Sequence, residues 1–389
     1  MVLLEGGVGR GGMPIEAIRE NKVMALSDIV VEKIRKEGPL SFHDFMEMAL
    51  YYPGQGYYTS TGERLGHGGD YYTSPYLTSL FGEMLAGQLE EMWQALGRQP
   101  LTVVEYGAGT GLLCRDILHR LSANPELYES LRYFIIEKSE PMRQRERKLL
   151  PDKVEWVGSI GEIAPVTGVV LSNELLDNFS VHQVVMEDEL MEVFVEYEDG
   201  FHEVLRPANE ALRNYLCQLG VGLPRGYRTE INLEATEWIK EISAALHKGF
   251  ILTIDYGYPS SVLYSKKDGT LICYHGHRIN HNPYDLIGQQ DITSHVNFSA
   301  LDYWGRINGL ECCGYTTQTH FLQGLGITSH LQRIEAAGLD GGDPVVRQQR
   351  LWQLRTLLLE MGRKFKVLIQ RKGLDKVMLS GMQFAQALG

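Results

Sequence analysis

Cysteine is scarce in this sequence, and long apolar runs are missing from it. The 389 residues include five cysteines, and no two of them form a CxxC pair. That pattern excludes a disulfide framework and a zinc ribbon, and it fits a reducing compartment. No stretch approaches the roughly 20 apolar residues that a transmembrane helix needs. We therefore predict a soluble protein without membrane insertion.

Positive charge is also in short supply. The formal net charge is −12 at pH 7, which argues against general nucleic-acid binding, because phosphate binding needs a basic surface. A basic substrate would meet a favourable field. The N-terminal stretch carries Glu5, Glu16 and Glu20 and lacks the apolar or basic character of a signal or transit peptide. These features predict a cytoplasmic location rather than the mitochondrial matrix.

Short apolar segments alternate with helical patterns after Leu101. This rhythm predicts an α/β fold with a doubly wound, mostly parallel, Rossmann-like sheet that is covered on both faces. The strands are expected, in chain order, in LTVVEYG, RYFIIEK, KVEWVG, GVVLSNE, GFILTIDYG and KFKVLIQRKG. One helix is expected before them, from about Tyr76 to Leu96, and another after the first strand, from about Leu112 to Leu121.

Two regions depart from this rhythm. The stretch Ser27–Tyr52 predicts two helices, with Ser27 and Ser41 as N-caps. Between the fourth and fifth strands, alternating polarity with acidic turns predicts an antiparallel insertion. The expected divisions are a disordered terminus at 1–24, a helical segment at 25–98, the first part of the core at 99–180, the insertion at 181–230, and the remainder at 231–389 with a substrate-groove insertion at about 258–310.

A glycine-rich turn follows the first predicted strand. Gly107, Gly109 and Gly111 stand between that strand and a helix, where missing side chains let the backbone approach a ligand. A dinucleotide fingerprint would need glycine where Leu112 stands. The spacing instead suits S-adenosylmethionine (SAM), and Glu105 could attract its amino group or its sulfonium. The alternative is a connection with no ligand at all.

An acidic residue also follows the second predicted strand. A carboxylate at Glu137 can accept hydrogen bonds from both ribose hydroxyls of a nucleoside. We also include Ser159, after the third predicted strand, among the cofactor-binding residues. We therefore predict SAM as the cofactor.

The fourth predicted strand ends in a polar stretch, SNELLDNFS. Asn173, Glu174 and Asp177 would overhang the same cofactor, because this strand is expected beside the first. A guanidinium has no free lone pair, so a carboxylate that pairs with it and accepts its proton suits methyl transfer to arginine. The alternatives are structural: Asp177 or Asn178 could cap a helix, and Asn173 could satisfy backbone at the strand end.

The motifs together resemble a known family, the MidA-like SAM-dependent methyltransferases, which include a mitochondrial complex I assembly factor that methylates a protein arginine. The resemblance covers most of the chain, and its motifs occur in the family's order: GPLSFHDFMEMAL, PGQGYYTS, GGDYYTSP, FGEMLA, VVEYGAGTG, SNELLDNFSVHQ, IDYGYP, DITSHVNFSAL and THFLQGLGI.

That resemblance implies that the antiparallel insertion is a substrate region, and it implies both site residues and a partner. It places Asn173, Glu174 and Asp177 at the methyl-transfer end, and it implies that Gly69, Asp70 and Thr73 fold over the cofactor. The implied partner is a protein with an exposed arginine, with a respiratory complex subunit suggested by the family. The oligomeric state stays open, with a homodimer among the alternatives.

Two alternatives concern a metal site and the function of the chain. His275, His277 and His281 share one segment and could bind zinc, but no cysteine or carboxylate stands at an obvious partner spacing, so we assign no metal site. The alternative function is that of a SAM-binding assembly factor, which holds a partner and catalyses little. Glu174 favours chemistry, because binding alone would need only the glycine turn and a groove.

Overall fold

A computed structural model describes residues 24–60, 74–337 and 344–388. Its helices are α1 (Leu26–Glu37), α2 (Phe42–Tyr51), α3 (Ser74–Leu77), α4 (Leu80–Ala95), α5 (Leu112–Leu121), α6 (Pro125–Ser130), α7 (Glu140–Leu149), α8 (Glu210–Gln218), α9 (Leu233–Ala245), α10 (Ser260–Leu263), α11 (Phe298–Ile307), α12 (Gln318–Gly324), α13 (Ile327–Ala337), α14 (Pro344–Arg355) and α15 (Gly362–Lys364). Short 3₁₀ turns cover Ile160–Ile163, Leu176–Asn178 and Ser380–Met382, and a π-helical segment covers Thr356–Met361.

The strands of the described residues fall into three sheets. They are β1 (Leu40–Ser41), β2 (Thr102–Tyr106), β3 (Arg132–Ile136), β4 (Val154–Trp156), β5 (Val166–Asn173), β6 (His182–Met186), β7 (Leu190–Glu198), β8 (Gly200–Pro207), β9 (Arg228–Ile231), β10 (Leu246–Tyr258), β11 (Ile272–His275), β12 (Arg278–Asn280), β13 (Asp291–Thr293), β14 (Val296–Asn297), β15 (Glu311–Thr317) and β16 (Phe365–Lys372).

The largest sheet has the order β15-β16-β10-β5-β2-β3-β4. The strands from β10 to β4 pair in parallel, whereas β16 is antiparallel to both β10 and β15. The predicted doubly wound, mostly parallel sheet is therefore confirmed. The strand β15 was missed, because its sequence ECCGYTT has no clear apolar alternation.

Both faces of this sheet are covered, as the apolar strands require. Along β2, Val103 packs with α4 and α5 on one face, and Val104 packs with Trp238 and Ile239 of α9 on the other. Successive residues of a strand point to opposite faces, so a strand that is apolar at every position needs helices on both sides.

The N-terminal helices pack away from this core, against the antiparallel insertion. The side chains of Phe42 and Phe45 on α2 share a buried cluster with Val193 of β7 and Cys273 of β11. The strands β6, β7, β8 and β9 pair antiparallel, as predicted. Ser41 caps α2 through a 3.1 Å hydrogen bond from the Asp44 N–H. None of the described helices is both long enough and apolar enough to cross a membrane.

Three local predictions are corrected. Ser27 lies inside α1 rather than at its N-cap, because α1 already begins after Ala25. The single helix expected from about Tyr76 to Leu96 is divided into α3 and α4. The expected helical segment 25–98 also contains α4, which packs on the main sheet and not with α1 and α2.

Candidate active site

A cavity of about 770 Å³ opens where the parallel strands end. The turn after β2, the residues that follow β3 and β5, and the end of β10 line one part of it. Tyrosines of the N-terminal segment and one face of the small sheet β12-β11-β13 line another part. Ligands of open α/β sheets bind beyond the carboxyl ends of the strands, so this cavity is the candidate active site.

The glycine turn brings bare backbone to the cavity. Gly107, Gly109 and Gly111 have φ values of +65°, +58° and +77°, which glycine adopts more easily than other residues. A Cβ atom on Gly107 would lie 2.7 Å from Cδ1 of Leu175. Gly107 and Gly109 line the cavity, whereas Gly111 is the N-cap of α5 and is not among the lining residues. A valine at position 109 would therefore strain the backbone as well as narrow the cavity.

Glu105 lies beneath this turn, near the end of β2. Its side chain is 2 % exposed, and one carboxylate oxygen accepts a 2.7 Å hydrogen bond from the Tyr133 hydroxyl. Burial raises the pKa of Glu105 to about 7, and the bond from Tyr133 opposes that rise. The carboxylate still lines the cavity, where a cation would favour its ionised form.

Glu137 follows β3 at the same edge of the sheet and lines the cavity. One oxygen accepts a 2.7 Å hydrogen bond from the Ser139 N–H. Burial raises the pKa of Glu137, while backbone hydrogen bonds from Ser139 and Gly109 act in the opposite direction. The side chain is thus tied to the glycine turn and keeps acceptor capacity for a hydroxyl group.

Among the remaining predicted cofactor residues, Ser159 does not join this group. Ser159 forms a reciprocal cap with Glu162 on the 3₁₀ turn at Ile160–Ile163 and is not among the residues that line the cavity. Gly69, Asp70 and Thr73 fall in residues 61–73, outside the described residues.

Glu174 is the first residue after β5 and adopts φ = +54°, an unusual conformation for a side chain of this size. One carboxylate oxygen accepts hydrogen bonds of 3.2 Å from the Ser74 N–H and from the Asn173 side-chain amide. Burial raises the pKa of Glu174 to about 8, with a further contribution from the Asp177 charge. The side-chain oxygen of Asn173 is buried, with no hydrogen-bond partner among the described residues.

Asp177 lies in the 3₁₀ turn that follows, and its side chain is 4 % exposed. Burial raises its pKa to about 7, and a hydrogen bond with the Tyr256 side chain opposes the rise. The helix-cap interpretation of Asp177 and Asn178 is wrong, because the chain passes from this turn into β6 without an intervening helix. Asp177 lines the cavity.

Sequence reasoning missed Asp255, which fixes this turn from the neighbouring strand β10. Its side chain is 1 % exposed; one oxygen accepts from the N–H groups of Leu175 (3.2 Å) and Leu176 (2.9 Å), and the other from that of Tyr256 (2.8 Å). Burial raises its pKa, as does the charge of Asp177. An acidic residue at the carboxyl end of a predicted strand was the available signal, as at Glu137.

The far wall of the cavity lies within residues 258–310, where the sequence predicts a substrate-groove insertion, although Asp291 was not singled out. It includes Asp291, whose carboxylate accepts hydrogen bonds from the Tyr58 hydroxyl at 2.9 Å, and His295, whose pKa is lowered to about 4 by burial and by two nearby lysines. In the histidine-rich hairpin, Nδ1 of His275 lies 2.8 Å from the Gln289 carbonyl oxygen. Within the described ranges, no group of three His, Cys, Asp or Glu side chains could hold a metal ion.

These features fit the cofactor predicted from the sequence. The bare backbone at Gly107 and Gly109 leaves room for a nucleoside-sized group, and Glu137 can accept hydrogen bonds from ribose hydroxyls. The buried carboxylate of Glu105 would be stabilised by a positively charged sulfur or amino group.

Comparisons with known proteins agree with this fit. The family model Methyltransf_28, which describes S-adenosyl-L-methionine-dependent methyltransferases, matches residues 84–316. Among solved structures, a COG1565 superfamily member from Burkholderia thailandensis, bound to S-adenosyl-homocysteine, is 31 % identical with a TM-score of 0.82. That match covers 93 % of this chain and 95 % of the other.

Curated relatives carry a more specific name. The protein arginine methyltransferase NDUFAF7, mitochondrial, of Danio rerio is 26 % identical over 378 residues, which cover 87 % of this chain and 84 % of the relative. The Drosophila melanogaster homologue is 25 % identical over 373 residues, which cover 88 % and 83 %.

The mitochondrial names of these relatives contradict the predicted cytoplasmic location. That prediction depended on the acidic character of a short N-terminal stretch. The mitochondrial names of two relatives are stronger evidence than this single feature.

Proposed function

Because this chain belongs to the family of S-adenosyl-L-methionine-dependent methyltransferases, we propose that it transfers the methyl group to an arginine side chain of a protein substrate. The observation that carries the proposal is the pair of cavity carboxylates, Glu174 and Asp177. Burial raises the pKa of each, to about 8 and about 7, so both lack full solvation. A guanidinium placed between them would stabilise their ionised forms.

The roles of the residues follow from this geometry. The cofactor supplies a methyl group on a positively charged sulfur, which is a good leaving group. Glu174 pairs with the guanidinium and leaves the reacting nitrogen facing the methyl carbon. The carbon–sulfur bond breaks as the carbon–nitrogen bond forms, and the proton that this nitrogen loses passes to Glu174. A pKa of about 8 suits a base that works near neutral pH.

Asp255 is a positioning residue in this proposal. Its hydrogen bonds to Leu175 and Leu176 hold the backbone between Glu174 and Asp177, so the spacing of the two carboxylates depends on it. The names of the curated relatives support a protein-arginine substrate. A respiratory complex subunit, suggested by the resemblance in sequence motifs, stays a prediction.

The test is incubation of the protein with methyl-labelled SAM and a lysate of its own source, followed by mass spectrometry. We expect methylarginine in one or a few proteins. Label on lysine or on small molecules would contradict the arginine proposal. Binding of SAM by calorimetry without transfer to any protein would favour the alternative, an assembly factor that holds its partner.

A further inference from the structure

The small sheet β12-β11-β13 forms the far wall of the cavity with one of its faces. Residues that lie opposite each other on neighbouring strands point to the same face. In this sheet Tyr274 pairs with Ile279 on one side and with Asp291 on the other, and Ile272 pairs with Thr293. All five of these residues line the cavity. The opposite face, with Cys273 and Ile292, is buried in the N-terminal cluster.

This wall is joined directly to the proposed catalytic turn. The Ser294 N–H, next to β13, donates a 3.0 Å hydrogen bond to the backbone carbonyl of Asp177. The surface from β12 through β13 to Asp177 is therefore continuous, and it leads from the cavity mouth to the carboxylates.

The outer edge of the wall is β12, which pairs only with β11 among the described strands. The two strands are joined by a two-residue turn, Gly276-His277, with φ values of +55° and +61°. His275 and Arg278 flank this turn as an opposed pair, and such flanking residues exchange their backbone hydrogen bonds. Because bonded and non-bonded pairs alternate along an antiparallel ladder, the N–H and C=O of Ile279 point away from β11.

Ile279 therefore presents an outward backbone donor and acceptor at the mouth of the cavity. Its side chain is 60 % exposed and also lines the cavity. An edge strand of this kind is a template for a further extended segment, which gains main-chain hydrogen bonds without sequence constraint.

We propose that the substrate protein presents its arginine on an extended segment that pairs with β12 through the backbone of Ile279. This inference rests on the proposed function above. A segment paired with β12 lies three strand spacings, about 14 Å, from β13 and the adjoining Asp177 turn. Two or three extended residues that leave the paired strand and cross the wall at about 3.4 Å each, followed by an arginine side chain, cover that distance. The carboxylates of Asp291, Asp177 and Glu174 along the way attract the guanidinium.

The matched variants are Ile279→Pro and Ile279→Ala. Proline removes the outward N–H of Ile279. The hydrogen bonds between β12 and β11 remain, because Ile279 makes none of them, and edge strands tolerate proline. Alanine keeps the N–H and removes most of the exposed side chain. The substrates are a library of short peptides with one central arginine and, for comparison, free L-arginine. Melting temperature and SAM affinity of both variants verify the fold.

We expect Ile279→Pro to lower kcat/KM on the peptides by roughly three- to tenfold more than Ile279→Ala, the effect of one backbone hydrogen bond. Any activity on free arginine should be equal in the two variants. Equal losses on the peptides would overturn strand pairing, since only the side chain would then matter. If the wild type transfers methyl groups to neither peptides nor proteins, the proposed function fails and this inference fails with it; peptide activity that is insensitive to both variants refutes the pairing alone.

Discussion

Two neighbouring strands, β2 and β5, end at the same edge of the sheet and are followed by turns of different composition. After β2 the chain turns through glycines with positive φ, and the turn contributes open space. After β5 it also enters the left-handed region, but with Glu174 at φ = +54°, and this turn contributes a charge. The two turns face one cavity, so bare backbone and a charged side chain meet there.

The difference shows where the structure accepts strain. Glycine adopts a positive φ at little cost, whereas a glutamate there costs roughly 1 kcal/mol or more and persists only when its surroundings hold it. Here the surroundings are Asp255, which binds the following backbone, and Ser74, which donates to the Glu174 carboxylate. A strained, buried carboxylate that needs such support is expected to act on a ligand.

The contrast between the two turns is tested most directly by removing the charge after β5 while keeping the shape of the side chain. Glu174→Gln should lower the rate of methyl transfer by about 10²- to 10⁴-fold, because glutamine neither pairs with a guanidinium as an anion nor accepts its proton. SAM affinity should change little. Single-turnover transfer, measured beside calorimetric SAM binding, separates the two effects.

The matched control is Glu146→Gln. Glu146 is also buried, its pKa is also raised to about 8 by burial, and it accepts a 2.6 Å hydrogen bond from the Trp156 indole outside the cavity lining. The Glu146→Gln variant should transfer methyl groups at nearly the wild-type rate. Equal rate losses in both variants would mean that any buried carboxylate matters in the same way, and the contrast between the two turns would fail.

The cofactor side is tested by Glu137→Ala. Loss of a charged acceptor for ribose hydroxyls should weaken SAM binding by about 1.5–3 kcal/mol, or roughly 10- to 150-fold in Kd. Transfer at saturating SAM should fall far less than in Glu174→Gln. A 2′,3′-dideoxy analogue of SAM should bind wild type and variant alike, and an unchanged difference between them with this analogue would show that Glu137 contacts something else.

Asp255→Asn tests the support of the turn after β5, because it weakens that support and leaves the carboxylates of Glu174 and Asp177 in place. The amide keeps one acceptor oxygen, and its NH₂ group replaces the other. That NH₂ group then faces backbone N–H groups that donate to Asp255 in the wild type, either that of Tyr256 or those of Leu175 and Leu176. We expect kcat to fall by about tenfold, with SAM affinity unchanged and a lower melting temperature. A variant that melts early but transfers at the wild-type rate would remove Asp255 from the positioning role.

The smallest effect is expected in the dependence of stability on pH. The folded-state pKa values of Glu174 and Asp177 are raised to about 8 and about 7 by burial, above the ordinary values of 4.5 and 3.8. These two groups therefore bind protons more tightly in the folded state, so their contribution to stability is complete below pH 4 and is lost as pH rises to about 8.

The free protein should accordingly melt a few degrees lower at pH 8.5 than at pH 6. Glu174→Gln should flatten that part of the pH profile, since its side chain does not titrate. A profile of the same slope in wild type and variant would show that Glu174 is already ionised in the folded protein.

Much of the core could be predicted because each segment carries its own signal. The helix α5 spans Leu112–Leu121, the range expected from its pattern, because a glycine turn fixes its start. The neighbours β2 and β5 were expected side by side because short apolar strands alternate with helices in a fold of known topology. In the same way, Asn173, Glu174 and Asp177 could be placed near the cofactor from one short stretch.

The rest of the site depends on contacts between distant segments. Asp255 stands 80 residues beyond Leu175, and nothing in its own neighbourhood indicates which turn it will hold. The sheet β12-β11-β13 consists of strands of three or four residues, too short for a readable period of two. Its hairpin also has histidine in a turn position that favours glycine or asparagine, which hid the turn.

The left-handed conformation of Glu174 bears on how this protein can change over time. Replacement by glycine would relieve the backbone and remove a buried acid, two changes that each favour the folded state. Selection for robustness alone would therefore drive the glutamate out, as laboratory evolution for heat resistance would. A lineage that keeps a glutamate here has a less stable folded state than one with glycine, and it retains the charge of the carboxylate. Stability and activity thus place opposite demands on this single residue.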